Sequence, residues 1–114
     1  MAKTEVEFMD VSVLPWRSVK GYPPETGAKE LIISEDKEAG TFTRLLKLEP
    51  GTEINKVLSH EWWEEVYIIE GGLICNKQVF SAGMVAVRPP GMKHGPFKAP
   101  VGALCFEVHY KSKD

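Results

Sequence analysis

The segment GMVAVRPPGMKH, residues 83–94, decides how this chain is built. Residues 85–87 are a short run of β-formers, bounded by Gly83 on one side and by Pro89, Pro90 and Gly91 on the other. Proline presets φ and glycine tolerates positive φ, so the strand ends in a tight turn. His94, three residues past that glycine, is thereby held at a fixed place beside the strand end.

The same punctuation recurs outward from this segment. Residues 53–60 precede EEVYII at 64–69, followed by Gly71 and Gly72, a run at 73–75, Asn76 and Lys77, a run at 79–80, and Gly83. Upstream, residues 29–34 and TFTRLLKL at 41–48 read as two strands joined by a hairpin loop over 35–40 and closed by Pro50 and Gly51. Short β-rich runs broken by Gly, Pro and Asn at intervals of about ten residues predict an all-β sandwich or barrel. The last run, ALCFEVHY at 103–110, has a two-residue period. It sets Leu104, Phe106, Val108 and Tyr110 on one face and Cys105, Glu107 and His109 on the other. Pro15, Gly21, Pro23, Pro24 and Gly27 break any long periodic element in the first third, so residues 1–28 are expected to form an irregular arm.

Composition bounds the function. The chain has 114 residues, 43% of them hydrophobic, and a net charge of -2, which predicts one domain spanning 1–114. A chain of this size buries roughly two-thirds of its unfolded surface without metal or disulfide staples. A metal here would therefore serve function rather than folding. The 14 basic and 16 acidic residues are interspersed, which argues against nucleic acid or a polybasic membrane patch as partner. No apolar run approaches the about 20 residues of a membrane span, and the first ten residues mix Lys and Glu. The expected location is cytoplasmic. Cys75 and Cys105 lie in apolar stretches without CxxC spacing and are expected to be buried free thiols.

All three histidines, His60, His94 and His109, lie in the second half. In SHEWWEEVYIIEGG, His60 and Glu64 are four residues apart, so they share a face if the intervening segment stays extended or turns tightly. Two imidazoles and a carboxylate make a mixed nitrogen and oxygen set suited to divalent iron, manganese, nickel or zinc.

These segments resemble the two cupin motifs. Residues 83–94 match GxxxxxPxGxxH at Gly83, Pro89, Gly91 and His94, with Lys98 where the motif usually trails an asparagine. Residues 51–71 resemble the first motif, a glycine, HxH, a carboxylate, six residues and a glycine. Counting alone allows Glu64 with Gly71 or Glu65 with Gly72; the ending Ile69, Glu70, Gly71 resembles the family's and favours Glu64. The first histidine of HxH is replaced by Leu58. The resemblance therefore implies a single-domain cupin β-barrel of the jelly-roll type, its two motifs within 51–94, and a metal held by His60, Glu64 and His94 where the usual cupin has four ligands. Small cupins related to the ChrR anti-sigma domain and to cupin dioxygenases are the nearest in pattern.

The resemblance also implies what the barrel does. The first expectation is a metal-dependent enzyme acting on a small organic molecule, dioxygenase-like or a lyase, isomerase or dehydratase. The alternatives are a non-catalytic sensor of metal or a small ligand, and a metal-free barrel using the same residues for acid and base work. Glu107 and His109 either line the cavity, as catalytic acid and base or supporting groups, or face solvent. Lys56 has the parity of Leu58 and His60 and reads as a cavity residue or, in preference, a solvated lysine, Arg88 as an anion-binding or ion-paired group, and Trp62 and Trp63 as walls of a pocket or packing residues. Cupins commonly dimerise, and Phe8, Val11, Val13, Leu14 and Trp16 give the arm the apolar content for a homodimer.

Overall fold

In the computed structural model, which describes residues 3–112, the β-rich runs become nine strands: β1 (Arg17–Ser18), β2 (Ala28–Asp36), β3 (Thr41–Leu48), β4 (Thr52–Ile54), β5 (Trp63–Cys75), β6 (Gln78–Ser81), β7 (Val85–Arg88), β8 (Phe97–Ala99) and β9 (Ala103–Tyr110). Every pairing is antiparallel, in the order β1-β2-β3-β9-β5-β8-β4, with β6 and β7 also on β5. The result is the expected all-β barrel, a sheet curled on itself. No α-helix occurs among the described residues, and none is long and apolar enough to cross a membrane. The arm holds two single-turn 3-10 helices, Val11–Val13 and Pro24–Thr26. Phe8, at 99% exposure, and Val13, at 71%, project from it.

β5 is the hub, and it corrects one sequence expectation. Gly71 and Gly72 do not separate two strands but form a corner inside one. Residues up to Gly71 pair with β9 and β7, whereas Gly72 to Cys75 pair with β6. A bulge between Ile68 and Glu70 precedes the corner, where Gly71 has φ 74°. A Cβ on Gly71 would lie 2.1 Å from the carbonyl oxygen of Gly102, so no larger residue fits the close approach of the two chains. Two further differences arise where the local pattern was thin. The run over 53–60 yields a strand only at Thr52–Ile54, and the three-residue β8 follows the cis Gly95–Pro96 bond in a stretch without strand periodicity.

Side chains facing inward alternate along each strand. Leu46 and Leu48 of β3, Ile54 of β4, Val66, Ile68 and Leu73 of β5, Ala99 of β8, and Ala103 and Cys105 of β9 form the apolar core. Burial pushes the Cys105 thiol up to about 12, so it packs as a neutral group. Cys75 is free as expected but only half-buried. Past this core, toward the far end of β9, the inward positions turn polar with Glu107 and His109.

Candidate metal centre and its charge network

Glu64 is the second residue of β5 and points into the barrel, 3% exposed. Glu65 points outward and accepts a hydrogen bond from the Tyr110 hydroxyl at 2.6 Å. The alternation of the strand thus separates the two carboxylates that counting left equivalent. His60 reaches back from the loop before β5 to place Nε2 3.1 Å from Glu64 Oε2. His94, in the loop between β7 and β8, places Nε2 4.0 Å from the same oxygen.

Backbone pairing fixes the two histidine loops against each other. The Leu58 N–H donates to the His94 carbonyl at 2.7 Å, the His94 N–H donates to the Leu58 carbonyl at 2.9 Å, and the Gly91 N–H donates to the His60 carbonyl at 2.7 Å. Leu58 therefore stands beside the cluster and lines the same small cavity as His60, Glu64 and His94. The residue at the missing ligand position is an apolar wall of the site.

The hydrogen bonds set the tautomers of two of the three rings. His94 Nδ1 lies 3.2 Å from the Met92 carbonyl, an acceptor only, so Nδ1 carries the proton and Nε2 keeps a lone pair. His109 is set the opposite way. The Trp62 indole donates to His109 Nδ1 at 2.9 Å, which leaves the neutral ring's proton on Nε2, 3.0 Å from Glu107 Oε1. His109 Nε2 is also 3.5 Å from Glu64 Oε2.

Two sets of donor atoms could hold an ion, His60 with Glu64 and His94, and Glu64 with Glu107 and His109, each converging within 4.8 Å. The first set fits. Ligand atoms about 2.1 Å from a common ion stand about 3–4 Å apart, as these do, and His94 offers a free lone pair. Both sets contain a ring that directs its Nε2 proton at a carboxylate, His60 at Glu64 and His109 at Glu107, and that proton must move to Nδ1 before the ring can ligate; the second set fits less well because the Trp62 N–H occupies His109 Nδ1 and blocks that move.

A chain of alternating charges runs behind the cluster. Arg44 of β3 donates to Glu107 at 2.9 Å and to Glu30 of β2 at 2.7 Å, and Arg17 at the surface donates to the other Glu30 oxygen at 3.2 Å. Phe42 stacks on His109 with ring centroids 4.3 Å apart, and the Arg44 guanidinium lies 5.0 Å from the Phe42 ring centroid. Arg88, at the end of β7, donates to Glu64 Oε1 and lies over Phe97. Burial raises the Glu64 carboxyl, but the His60 hydrogen bond and the electrostatic pull of His109, the Arg88 guanidinium and His94 outweigh it and hold the group well below the usual carboxylate range. Burial likewise opposes ionisation of Glu107, and Arg44 and His109 reverse it. For His94, burial first and then Arg88 lower the pKa, which favours the neutral ring.

The remaining sequence candidates are placed as follows. Glu107 and His109 face inward, 4% and 1% exposed, which excludes the solvent-facing alternative. Lys56 is exposed and donates to the Gly21 carbonyl at 3.0 Å. Trp62 stacks on His60, with centroids 5.2 Å apart and planes 3° apart. Trp63 is half-buried, and its Nε1 is the only buried side-chain polar atom without a partner among the described residues. Sequence reading missed Arg44, Glu30 and Phe42. The signal for Arg44 was present: a lone arginine in TFTRLLKL with the parity of Leu46 and Leu48.

An inner cavity of about 60 Å³ is lined by His60, Glu64, His94, Leu58, Arg44 and Glu107, among others. A larger groove of about 470 Å³ adjoins it and shares Val66, Leu73, Arg88, His94 and Phe97.

The sequence matches the profile of the ChrR cupin-like domain over residues 4–113. The chain belongs to the ChrR cupin-like family. No functionally curated protein matches it by sequence. Among solved structures, an RmlC-like cupin from Shewanella frigidimarina superposes with a TM-score of 0.73 at 19% identity, covering 100% of this chain and 97% of that one. An acetylacetone dioxygenase from Acinetobacter johnsonii gives 0.73 at 15% identity over 93% of this chain and 74% of that one. The anti-sigma ChrR of Rhodobacter sphaeroides, solved in complex with SigE, gives 0.64 at 19% identity over 85% of this chain and 50% of the matched chain. At these identities the likeness is one of cupin fold.

Proposed function

We propose that this cupin is a metal-dependent enzyme acting on a small organic molecule in the barrel, with divalent iron, manganese, nickel or zinc held by His60, Glu64 and His94. The observation that carries the reading is the convergence of two imidazole Nε2 atoms on one Glu64 oxygen, with the His94 tautomer set for ligation by the Met92 carbonyl. Such an ion supplies Lewis-acid or oxygen-activating chemistry when bound. Three protein ligands leave positions open for substrate, as in the two-histidine, one-carboxylate sites of non-haem iron oxygenases.

The chain's own residues divide the remaining work. Arg88 holds one Glu64 oxygen, so the carboxylate presents the other toward the histidines. Trp62 covers one face of His60 and excludes water there. Glu107 borders the inner cavity, whereas His109 lies behind it; their shared proton rests on His109 Nε2. His109 is accordingly a positioning residue, acting through Glu64 and Glu107. Oxygen-dependent cleavage of an enol or diketone is the first chemistry to test, with lyase, isomerase and dehydratase chemistry as the alternatives within the same reading. The ChrR likeness favours a second reading, in which the same site senses metal or a small ligand without turnover.

Elemental analysis of protein purified without added metal is expected to find close to one transition-metal ion per chain and a loss of at least tenfold in His94→Ala. Equal metal in both proteins would overturn the site. With metal present, oxygen uptake on a panel of enols and diketones supports the enzyme, and its absence across the panel supports the sensor.

A further inference from the structure

The 470 Å³ groove beside the metal centre has a one-sided chemistry. Its body is apolar, formed by Val66, Ile68, Leu73 and Phe80 from the inner faces of β5 and β6. Its ionisable lining includes Arg88, Lys93 and His94 but no aspartate or glutamate. Arg88 carries five N–H donors, and one of them is spent on Glu64. No Arg88 nitrogen is sealed off without a partner, because Trp63 Nε1 alone has that property among the described residues. Arg88 lines both the groove and the inner cavity, with 14% of its side chain exposed. Lys93 stands exposed in the same loop as His94, at the rim.

We infer that the groove binds a small organic acid with an apolar tail, its carboxylate or enolate on Arg88 at the metal-centre end and its tail along Val66, Ile68, Leu73 and Phe80. The volume admits about fifteen heavy atoms at the ~30 Å³ that a water occupies in the liquid. Arginine suits a planar anion because two of its N–H groups match two oxygens. Arg88 is then the specificity-determining residue, bridging the ligand and Glu64. The inference rests on reading the barrel as a small-molecule site, and it does not require metal.

Titration calorimetry with butanoate, hexanoate and octanoate, against hexan-1-ol and hexylamine, tests it on chelator-treated protein whose residual metal is measured in the same samples. Expected is saturable carboxylate binding that tightens about fourfold per added methylene, with the alcohol and the amine at least tenfold weaker. Arg88→Lys should reduce the preference for carboxylate over alcohol severalfold. Lys93→Glu, an exposed change that leaves the fold intact, should weaken hexanoate severalfold, and less so at high salt. Ala86→Leu, which narrows the groove, should flatten the dependence on tail length. Equal binding of alcohol and carboxylate, preference for the amine, or no saturable binding overturns the inference. Protein that later takes up one metal ion yet binds no carboxylate overturns this inference alone. Protein that binds carboxylate but never takes up metal overturns only the metal reading.

Discussion

At the residue scale the site is decided by who carries each proton. His94 and His109 are both buried imidazoles near Glu64, yet one is bonded at Nδ1 to a carbonyl and the other to an indole N–H. A carbonyl can only accept and an indole can only donate, so the two rings are fixed as opposite tautomers. Leu58 sits among them with its backbone paired to His94. Leu58→His is therefore expected to add a fourth ligand and raise affinity for zinc at least tenfold, measured by competition with a chromophoric chelator. Unchanged affinity would mean that position 58 does not face the ion. His60, Glu64 and His94 were legible because the turn before His94 and the spacing after His60 are local. The tautomer of His109 was not, because Trp62 and His109 are 47 positions apart and meet only through barrel closure.

At the element scale, the strands place charges in the core as deliberately as they place leucines. β3 is the clearest case, since Arg44 shares a face with Leu46 and Leu48 but ends between Glu30 of β2 and Glu107 of β9. Removing one member of a buried ion pair leaves the other uncompensated, at about 3–5 kcal/mol. Arg44→Met is expected to lose stability of that order in urea denaturation, and a loss below about 1 kcal/mol would show that the network is not a stabilising element. The strands over 41–48 and 103–110 were readable from their own runs. The passage of β5 through Gly71 and Gly72 was not. Glycine pairs usually mark turns, and only the approach of the Gly102 carbonyl to Gly71 and of the Phe80 carbonyl to Gly72 shows why the chain needs two of them inside a strand.

For the whole molecule, the buried carboxylates set the pH dependence of stability. Glu64 and Glu107 ionise more readily in the folded chain than their usual value of 4.5, and His94 is harder to protonate than its usual 6.5. The folded state therefore binds fewer protons than the unfolded one, and stability rises with pH through these ranges. In the metal-free protein the urea midpoint is expected to fall slightly as pH drops below 6.5, from His94. It should fall steeply below 4.5, as the unfolded carboxylates protonate first. A midpoint that rises on acidification would contradict the ionised network. The barrel as a whole was legible from the spacing of its breaks and the motif over 83–94, because turn chemistry is local; the charge chain linking β2, β3 and β9 becomes visible only with register. The central claim, an ion held by two imidazoles and one carboxylate, is tested most directly by X-ray absorption at the zinc edge of protein loaded with one equivalent of zinc. The account predicts two imidazoles in the coordination sphere with oxygen completing it; none, or a third contributed by His109, would contradict it.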